Sequence, residues 1–163
     1  MTGQNARWAE GMEWTMKYLN KHGLKKGSSF EVSVKYADDV EFKGKVGNKI
    51  KRETDLQVCP NGPEAGGCTY FEFKSVREVP PPSFDEQFVK DLLNKDVEDL
   101  SQIKWIFDGK KIDKAALEAL KNRIDALDIP EPAWKKFEMS SAEELKEKLK
   151  TDVIFNDIFK VVE

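Results

Sequence analysis

Charged residues alternate with phenylalanines on one predicted strand, where Phe73 separates Glu72 from Lys74. Because the side chains of a strand point alternately to its two faces, Glu72 and Lys74 share one face, and the flanking phenylalanines occupy the other. We expect the charged pair to project outward from an otherwise apolar sheet. Two positions along a strand span about 6.6 Å, so both groups can act on one bound ion and its water.

A second acidic segment precedes this strand. Residues 52–58 alternate in the same way, which places Glu53, Asp55 and Gln57 on one face of a predicted strand. A glycine-rich turn separates the two segments. Carboxylate oxygens are ligands that Mg²⁺ prefers, so two acidic strands joined by a turn suggest a metal site.

The Glu-x-Lys pattern alone is not specific, because it also occurs at residues 41–43 and 144–146. Only the pattern at Glu72 has an acidic strand before it and a capped helix and an apolar strand after it, as a central strand requires. The alternative is that Glu72 and Lys74 form an ion pair on the exposed side of an antiparallel sheet. Such a pair stabilises a fold modestly and catalyses nothing.

Basic residues cluster immediately before the acidic segment, with only Glu41 among them. One interpretation is a strand edge that carries lysines against aggregation. The other is a surface for a phosphate backbone, which gains weight beside a carboxylate site. The net charge of −3 argues against a protein that coats nucleic acid non-specifically. The basic residues are Lys43, Lys45, Lys49, Lys51 and Arg52.

The two cysteines, Cys59 and Cys68, lie at the two ends of the turn between the acidic segments. A disulfide between them would tie the two strands together, provided that the protein spends time outside a reducing cytosol. Two thiolates without nearby histidines cannot complete a tetrahedral zinc site, so the choice lies between a disulfide and two free thiols.

The elements that must position these residues follow from periodicity in a chain of 163 residues, long enough for one domain with a core. The pattern predicts a helix over residues 6–22, a strand over 30–36, a turn at Asp38 and Asp39, and a returning strand over 40–46. The strands that carry Asp55 and Glu72 follow.

A helix that opens with a capping box of Ser83 and Glu86 comes next, and a strand over residues 103–107 follows it. This order predicts an α/β fold, a mixed sheet with helices packed on it. After Lys111 the apolar spacing becomes helical as far as Val162. We therefore expect residues 112–163 to form a helical extension packed on the same domain as a core of residues 1–111. No apolar run reaches 18 residues, so no membrane span is expected.

The order helix, three or four strands, helix, strand resembles the core of the PD-(D/E)XK nucleases, the restriction-endonuclease-like superfamily, over roughly residues 6–108. In that family an aspartate on the second core strand and a Glu-x-Lys on the third bind one or two divalent ions and position a water. The resemblance implies catalytic roles for Asp55, Glu72 and Lys74, with Mg²⁺ or Mn²⁺ as cofactor. The Pro-Asp dipeptide of the family name is missing, and Thr54 stands where the proline would be.

The resemblance also implies supporting residues. Family members often add a metal-binding glutamate from the first helix, and both Glu10 and Glu13 suit that role. Many also place a glutamine near the site, for which Gln87 and Gln102 are suitable. Gln57 shares the predicted face of Asp55 and is a further supporting residue.

Compact nuclease domains at the C-termini of bacterial polymorphic and contact-dependent toxins look similar in size and order. The resemblance therefore implies an endonuclease toxin, delivered from a bacterial cell as part of a larger protein, that cuts DNA in preference to RNA in the target-cell cytoplasm. A cognate immunity protein would cover the basic residues. The alternative is a non-catalytic protein-binding module, such as an immunity or adaptor protein.

Overall fold

The computed structural model describes residues 13, 14, 17, 29–39, 49–62 and 64–162. They form one five-stranded mixed sheet with helices packed on it, which confirms the expected α/β class. The strands lie side by side in chain order. They are β1 (Ser29–Asp39), β2 (Lys49–Cys59), β3 (Thr69–Lys74), β4 (Ile103–Asp108) and β5 (Phe159–Val162). The helices are α1 (Phe84–Leu93), α2 (Glu118–Asp125), α3 (Glu131–Lys136), α4 (Ala142–Lys150) and α5 (Asp152–Ile158), with 3-10 turns at Leu100–Gln102 and Lys114–Leu117.

The sheet is antiparallel from β1 to β3 and parallel from β3 to β5. β1 and β2 pair along almost their whole lengths, from Ser29 opposite Cys59 to Asp39 opposite Lys49. The β2–β3 pairing is short and runs from Val58 to Leu56 on β2. Parallel strands need long crossover connections, so α1 lies between β3 and β4, and α2 to α5 lie between β4 and β5.

The turn expected at Asp38 and Asp39 is wrong, because both residues belong to β1 and pair with Ile50 and Lys49 of β2. Aspartate is disfavoured in strands, but pairing along an eleven-residue strand outweighs that local preference. β2 is thus the strand that returns against β1. The strand expected over residues 40–46 lies outside the described residues. So does most of the helix expected over 6–22, of which residues 13, 14 and 17 are described, all helical.

The main core lies between α1 and the face of the sheet that carries Trp105. The Trp105 ring lies edge-on to Phe84 and Phe88 of α1, with centroid distances of 5.3 and 5.9 Å. The apolar stripe expected on this helix is confirmed, since Phe84, Phe88 and Leu92 are all buried. The capping box expected at Ser83 is wrong. Ser83 has a left-handed backbone, with φ of 62°, and its hydroxyl caps no N–H of α1.

The C-terminal segment is not wholly helical, which corrects the expected extension. The helical stripe ends at Ile158, and Phe159–Val162 forms β5, parallel to β4. β-branched Val161 and Val162 favour an extended backbone, and β4 offers them a partner strand. Phe159 belongs to the same core cluster as Trp105, so this segment completes the sheet instead of packing on a finished domain. In the described parts of the chain, no helix has the length and apolar character needed to cross a bilayer.

Candidate functional site

The strand register brings the two predicted carboxylates of the site to neighbouring positions. The β2–β3 pairing ends at Leu56 opposite Phe71. The next residue on each strand, Asp55 and Glu72, therefore lies on the opposite face from that pair, and the two share this face. Lys74 follows two positions later on the same face. The register thus places all three predicted catalytic residues on one side of the sheet.

Asp55 is anchored to the backbone of the Glu-x-Lys segment. Its Oδ2 accepts a hydrogen bond from the Phe73 N–H at 2.8 Å. The Phe73 N–H lies just beyond the last paired residues of β2 and β3. The Asp55 oxygen therefore supplies the hydrogen-bond acceptor that a backbone carbonyl would supply within the paired region. Because Phe73 lies between Glu72 and Lys74, the bond holds the half-buried Asp55 against the residues expected to act with it.

Glu72 and Lys74 form a shielded ion pair, with 3.1 Å between Lys74 Nζ and Glu72 Oε1. Only 8% of the Glu72 side chain and 14% of the Lys74 side chain are exposed. The ammonium also donates to Gln87 Oε1 of α1 at 2.9 Å and lies 5.3 Å from the ring centroid of Trp105 on β4. Removing both charges from water is costly, and these contacts offset that cost. Gln87, one of the two glutamines suggested by the resemblance, therefore contacts Lys74.

The expectation that this pair projects freely from the sheet is wrong. Glu72 and Lys74 do lie opposite Phe71 and Phe73, but their face of the sheet is the one that α1 covers. Alternation distinguishes the two faces of a strand without showing which face a helix will cover. The same burial excludes the alternative of an exposed surface pair. On the other face, Phe71 and Phe73 stack at 6.0 Å, and Trp14 lies edge-on to Phe73 at 5.7 Å.

The additional metal ligand expected from the first helix is not brought to the site in the described residues. Glu13 is exposed and forms an ion pair with Lys17 at 3.6 Å. Glu10 lies outside the described residues. Among the residues that the structure describes, no group of three or more histidine, cysteine, aspartate or glutamate side chains is arranged to hold a metal ion. Mg²⁺ often binds through one or two carboxylates and keeps several waters, and Asp55 with Glu72 fits that limited coordination.

Gln102 is a structural residue, which corrects the supporting role expected for it. Its Oε1 accepts hydrogen bonds from the N–H groups of Glu98 and Asp99. Its Nε2 donates to the backbone carbonyls of Cys68 and Asp96. A primary amide has two donors and two principal acceptor positions, so these four bonds use its full capacity. Gln102 thus ties the loop before the 3-10 turn to the start of β3.

Cys59 and Cys68 are joined by a disulfide at the end of β2 and just before β3. Their Cα atoms are 4.2 Å apart, and both residues are buried. Gln57 donates from Nε2 to Cys59 Sγ at 3.2 Å. Gln57 therefore contacts the disulfide on the same face as Asp55. The disulfide joins the strand that carries Asp55 to the strand that carries Glu72.

The structure describes the backbone of three of the five predicted basic residues. Lys49, Lys51 and Arg52 lie on β2, where the backbone pairs with β1. Lys43 and Lys45 lie outside the described residues. Part of the basic cluster thus lies on the same strand as Asp55.

Two further polar groups on this face were not singled out in the sequence. Asp91 of α1 accepts a hydrogen bond from the indole N–H of Trp105 at 2.9 Å, and both residues are buried. Tyr70 precedes Glu72 by two positions. Burial raises the pKa of the Tyr70 hydroxyl, the Asp96 carboxylate raises it further, and a hydrogen bond with Asn94 opposes them. Tyr70 therefore stays protonated at neutral pH and is a poor base.

Comparison with known proteins gives no match. The chain matches no protein-family model, no curated protein and no solved structure.

Proposed function

We propose that the chain is a metal-dependent nuclease that hydrolyses phosphodiester bonds. In this proposal Asp55 and Glu72 hold Mg²⁺ or Mn²⁺, and Lys74 is the catalytic cation. The observation that carries the proposal is the register of β2 and β3, which sets Asp55 beside Glu72, with the Lys74 ammonium 3.1 Å from the Glu72 carboxylate.

The order of elements supports the proposal. In the described residues between Ser29 and Asp108, three strands, a helix and a fourth strand follow one another, and helical residues precede them. This is the order expected of the PD-(D/E)XK core. The predicted aspartate lies on the second of these strands and the Glu-x-Lys on the third.

The chemistry assigns a separate task to each side chain. A bound Mg²⁺ supplies a Lewis acid that polarises the phosphate and lowers the pKa of a water. The water oxygen would attack phosphorus and give up one proton to solvent, the bond from phosphorus to the leaving sugar oxygen would break, and that oxygen would take up a proton from solvent. Lys74 steadies the attacking water or neutralises the charge that develops on the phosphate. To hold the metal ion, Glu72 would give up its contact with Lys74, and Gln87 would keep its hydrogen bond with the ammonium.

The biological setting in this proposal is bacterial competition. The chain would be the toxin domain of a larger secreted or delivered protein, with DNA favoured over RNA as its substrate. Lys49 and Lys51, which lie on the same strand as Asp55, would contact the phosphate backbone. A cognate immunity protein would inhibit cleavage by covering these residues.

A non-catalytic protein-binding module is the second candidate, and two observations favour it. Glu72 is already neutralised by Lys74, and the described residues contain no group of three metal-ligating side chains. Under this alternative the buried ion pair is structural, and the protein docks a partner through its surface. Such a complex should survive chelation.

The two functions are separated by incubating the protein with plasmid DNA and with total RNA, each with Mg²⁺, Mn²⁺ or a chelator. We expect metal-dependent cleavage that falls by about 100-fold in Asp55→Ala, Glu72→Ala and Lys74→Ala. Glu131→Ala is the matched control, because it also removes an ion-paired carboxylate, but an exposed one on α3. Circular dichroism checks that the variants remain folded.

Undiminished cleavage in the three variants, or cleavage in the presence of chelator, would contradict the nuclease assignment. Absence of cleavage under every condition would favour the binding module.

A further inference from the structure

We propose that Trp105 and Asp91 position the ammonium group of Lys74. The catalytic consequence rests on the proposed nuclease function, whereas the positioning itself rests on contacts among three described elements. Trp105 and Asp91 do not touch the substrate in this proposal. They act through Lys74.

The first contact is between the ammonium and the indole ring, whose centroid lies 5.3 Å from Lys74 Nζ. The face of an aromatic ring attracts a cation, and this attraction is larger where water is excluded. Trp105 is fully buried, and the Lys74 side chain is 14% exposed. The β3–β4 register sets Trp105 opposite Glu72, so the ring lies beside the strand segment from which Lys74 projects.

The second contact fixes the ring. The indole N–H donates to Asp91 Oδ2 at 2.9 Å, and Asp91 itself is buried. Because both partners are buried, water does not compete for this hydrogen bond, and it limits rotation of the indole.

Gln87, which contacts Lys74, and Asp91, which contacts Trp105, lie on one side of α1. Asp91 follows Gln87 by four residues, so the two side chains lie one helical turn apart on the same face. Gln87 contacts the ammonium directly, and Asp91 reaches it through Trp105. If Glu72 bound a metal ion, Gln87 and Trp105 would remain as contacts of Lys74.

Packing explains the burial of Trp105 without explaining its place beside Lys74. The ring fills the core against Phe84, Phe88 and Phe159, and any large apolar residue would contribute there. A purely structural Trp105 would affect stability and leave the environment of Lys74 unchanged. The test therefore needs a signal from Lys74 itself.

The signal is the chemical shift of the Lys74 ε-methylene protons, which a nearby aromatic ring moves upfield. We expect this upfield shift in the wild-type protein and its loss in Trp105→Leu. Trp105→Phe retains a ring and most of the core volume, so it should keep a smaller shift even where Trp105→Leu fails to fold. Phe155→Leu is the matched control, because Phe155 is a buried aromatic with a different lysine, Lys121, 5.0 Å from its ring. It should leave the Lys74 signal in place.

The kinetic readout uses Trp105→Phe and Asp91→Leu, the second of which removes the acceptor of the indole N–H at similar side-chain volume. We expect kcat to fall about three- to thirty-fold with KM changed less than about two-fold, because the attacking water is affected more than substrate binding. Phe155→Leu should retain wild-type kinetics.

The outcomes separate this inference from the proposed function. A Lys74 shift that is the same in wild type, Trp105→Phe and Trp105→Leu overturns the positioning, as does wild-type kcat in both Trp105→Phe and Asp91→Leu. A shift that follows the ring in a protein without any cleavage activity supports the contact and overturns the nuclease.

Discussion

The ammonium of Lys74 is stabilised by three different kinds of group. A carboxylate, an amide oxygen and an aromatic face surround it, contributed by Glu72, Gln87 and Trp105. Each of these alone would compensate only part of the cost of burying the charge. Removing one partner should therefore have a large effect on stability as well as on any catalysis.

We predict that Glu72→Ala lowers the free energy of unfolding by about 3 kcal/mol, because it leaves the Lys74 ammonium buried without its counterion. The double variant Glu72→Ala/Lys74→Met should regain part of this loss, since it removes the charge as well. Urea denaturation measures both. Glu131→Ala removes an exposed pair and should cost less than about 1 kcal/mol. Equal decreases in the free energy of unfolding for Glu72→Ala and Glu131→Ala would contradict this prediction.

Sequence alone predicted which residues of the site share a face, and alternation was sufficient for that. It placed Glu72 opposite Phe71 and Phe73, as the structure does. The role of Gln102 could not be predicted, because its four partners are backbone groups of a loop and a strand end. Sequence alone did not show that Trp105 lies near Lys74. The two residues are brought together by the register of β3 on β4, and that register cannot be inferred from alternation within one strand.

At the level of elements, the position of Asp55 beside Glu72 depends on the short pairing between β2 and β3. The pairing covers Leu56, Gln57 and Val58 on β2, and the disulfide lies at the end of this stretch. By contrast, β1 and β2 pair along nearly all of their eleven residues. The disulfide therefore strengthens the weaker of the two antiparallel contacts in the described sheet.

We predict that reducing the disulfide, or replacing both cysteines by alanine, lowers the free energy of unfolding by about 2–3 kcal/mol. The two cysteines are 9 positions apart. Opening a loop of this size increases the conformational entropy of the unfolded chain, which stabilises the unfolded state by about that free energy. Urea denaturation with and without a reductant measures the effect. The double alanine variant is the control and should not respond to the reductant. A wild-type protein whose stability is the same in both states would contradict the prediction.

Sequence predicted an element correctly where the apolar spacing fitted only one type of secondary structure. The stripe of α1 and the apolar strand β4 are of this kind. The end of the chain was not predicted, because Phe155, Ile158, Phe159 and Val162 fit a helical spacing. Pairing with β4 decides that the last two of these residues belong to a strand.

At the scale of the whole molecule, the described segments before and after Lys111 share one core. Leu120, Leu145 and Phe155 from the later segment belong to the same buried cluster as Phe88 and Trp105. The division into a core of residues 1–111 and a helical extension was a prediction from a change in periodicity. Periodicity reports the type of element and does not report which elements share a hydrophobic core.

We predict that a fragment of residues 1–111 does not fold cooperatively, because it loses β5 and exposes the aromatic cluster around Trp105. Urea denaturation followed by tryptophan fluorescence and by circular dichroism should give one shared transition for the full chain. The fragment should give no cooperative transition with either probe. A sharp transition in the fragment would contradict this prediction, because it would show that residues 1–111 fold independently of the rest of the chain.

The cross-strand disulfide has one more consequence, which concerns the accuracy of assembly. Sliding β2 against β3 by a single residue would carry Asp55 to the far side of the sheet and separate it from Glu72. A covalent bond between Cys59 and Cys68 forbids that slip. Oxidation thus selects the alignment in which the two carboxylates are neighbours, and a reduced chain has to find that alignment by side-chain packing alone.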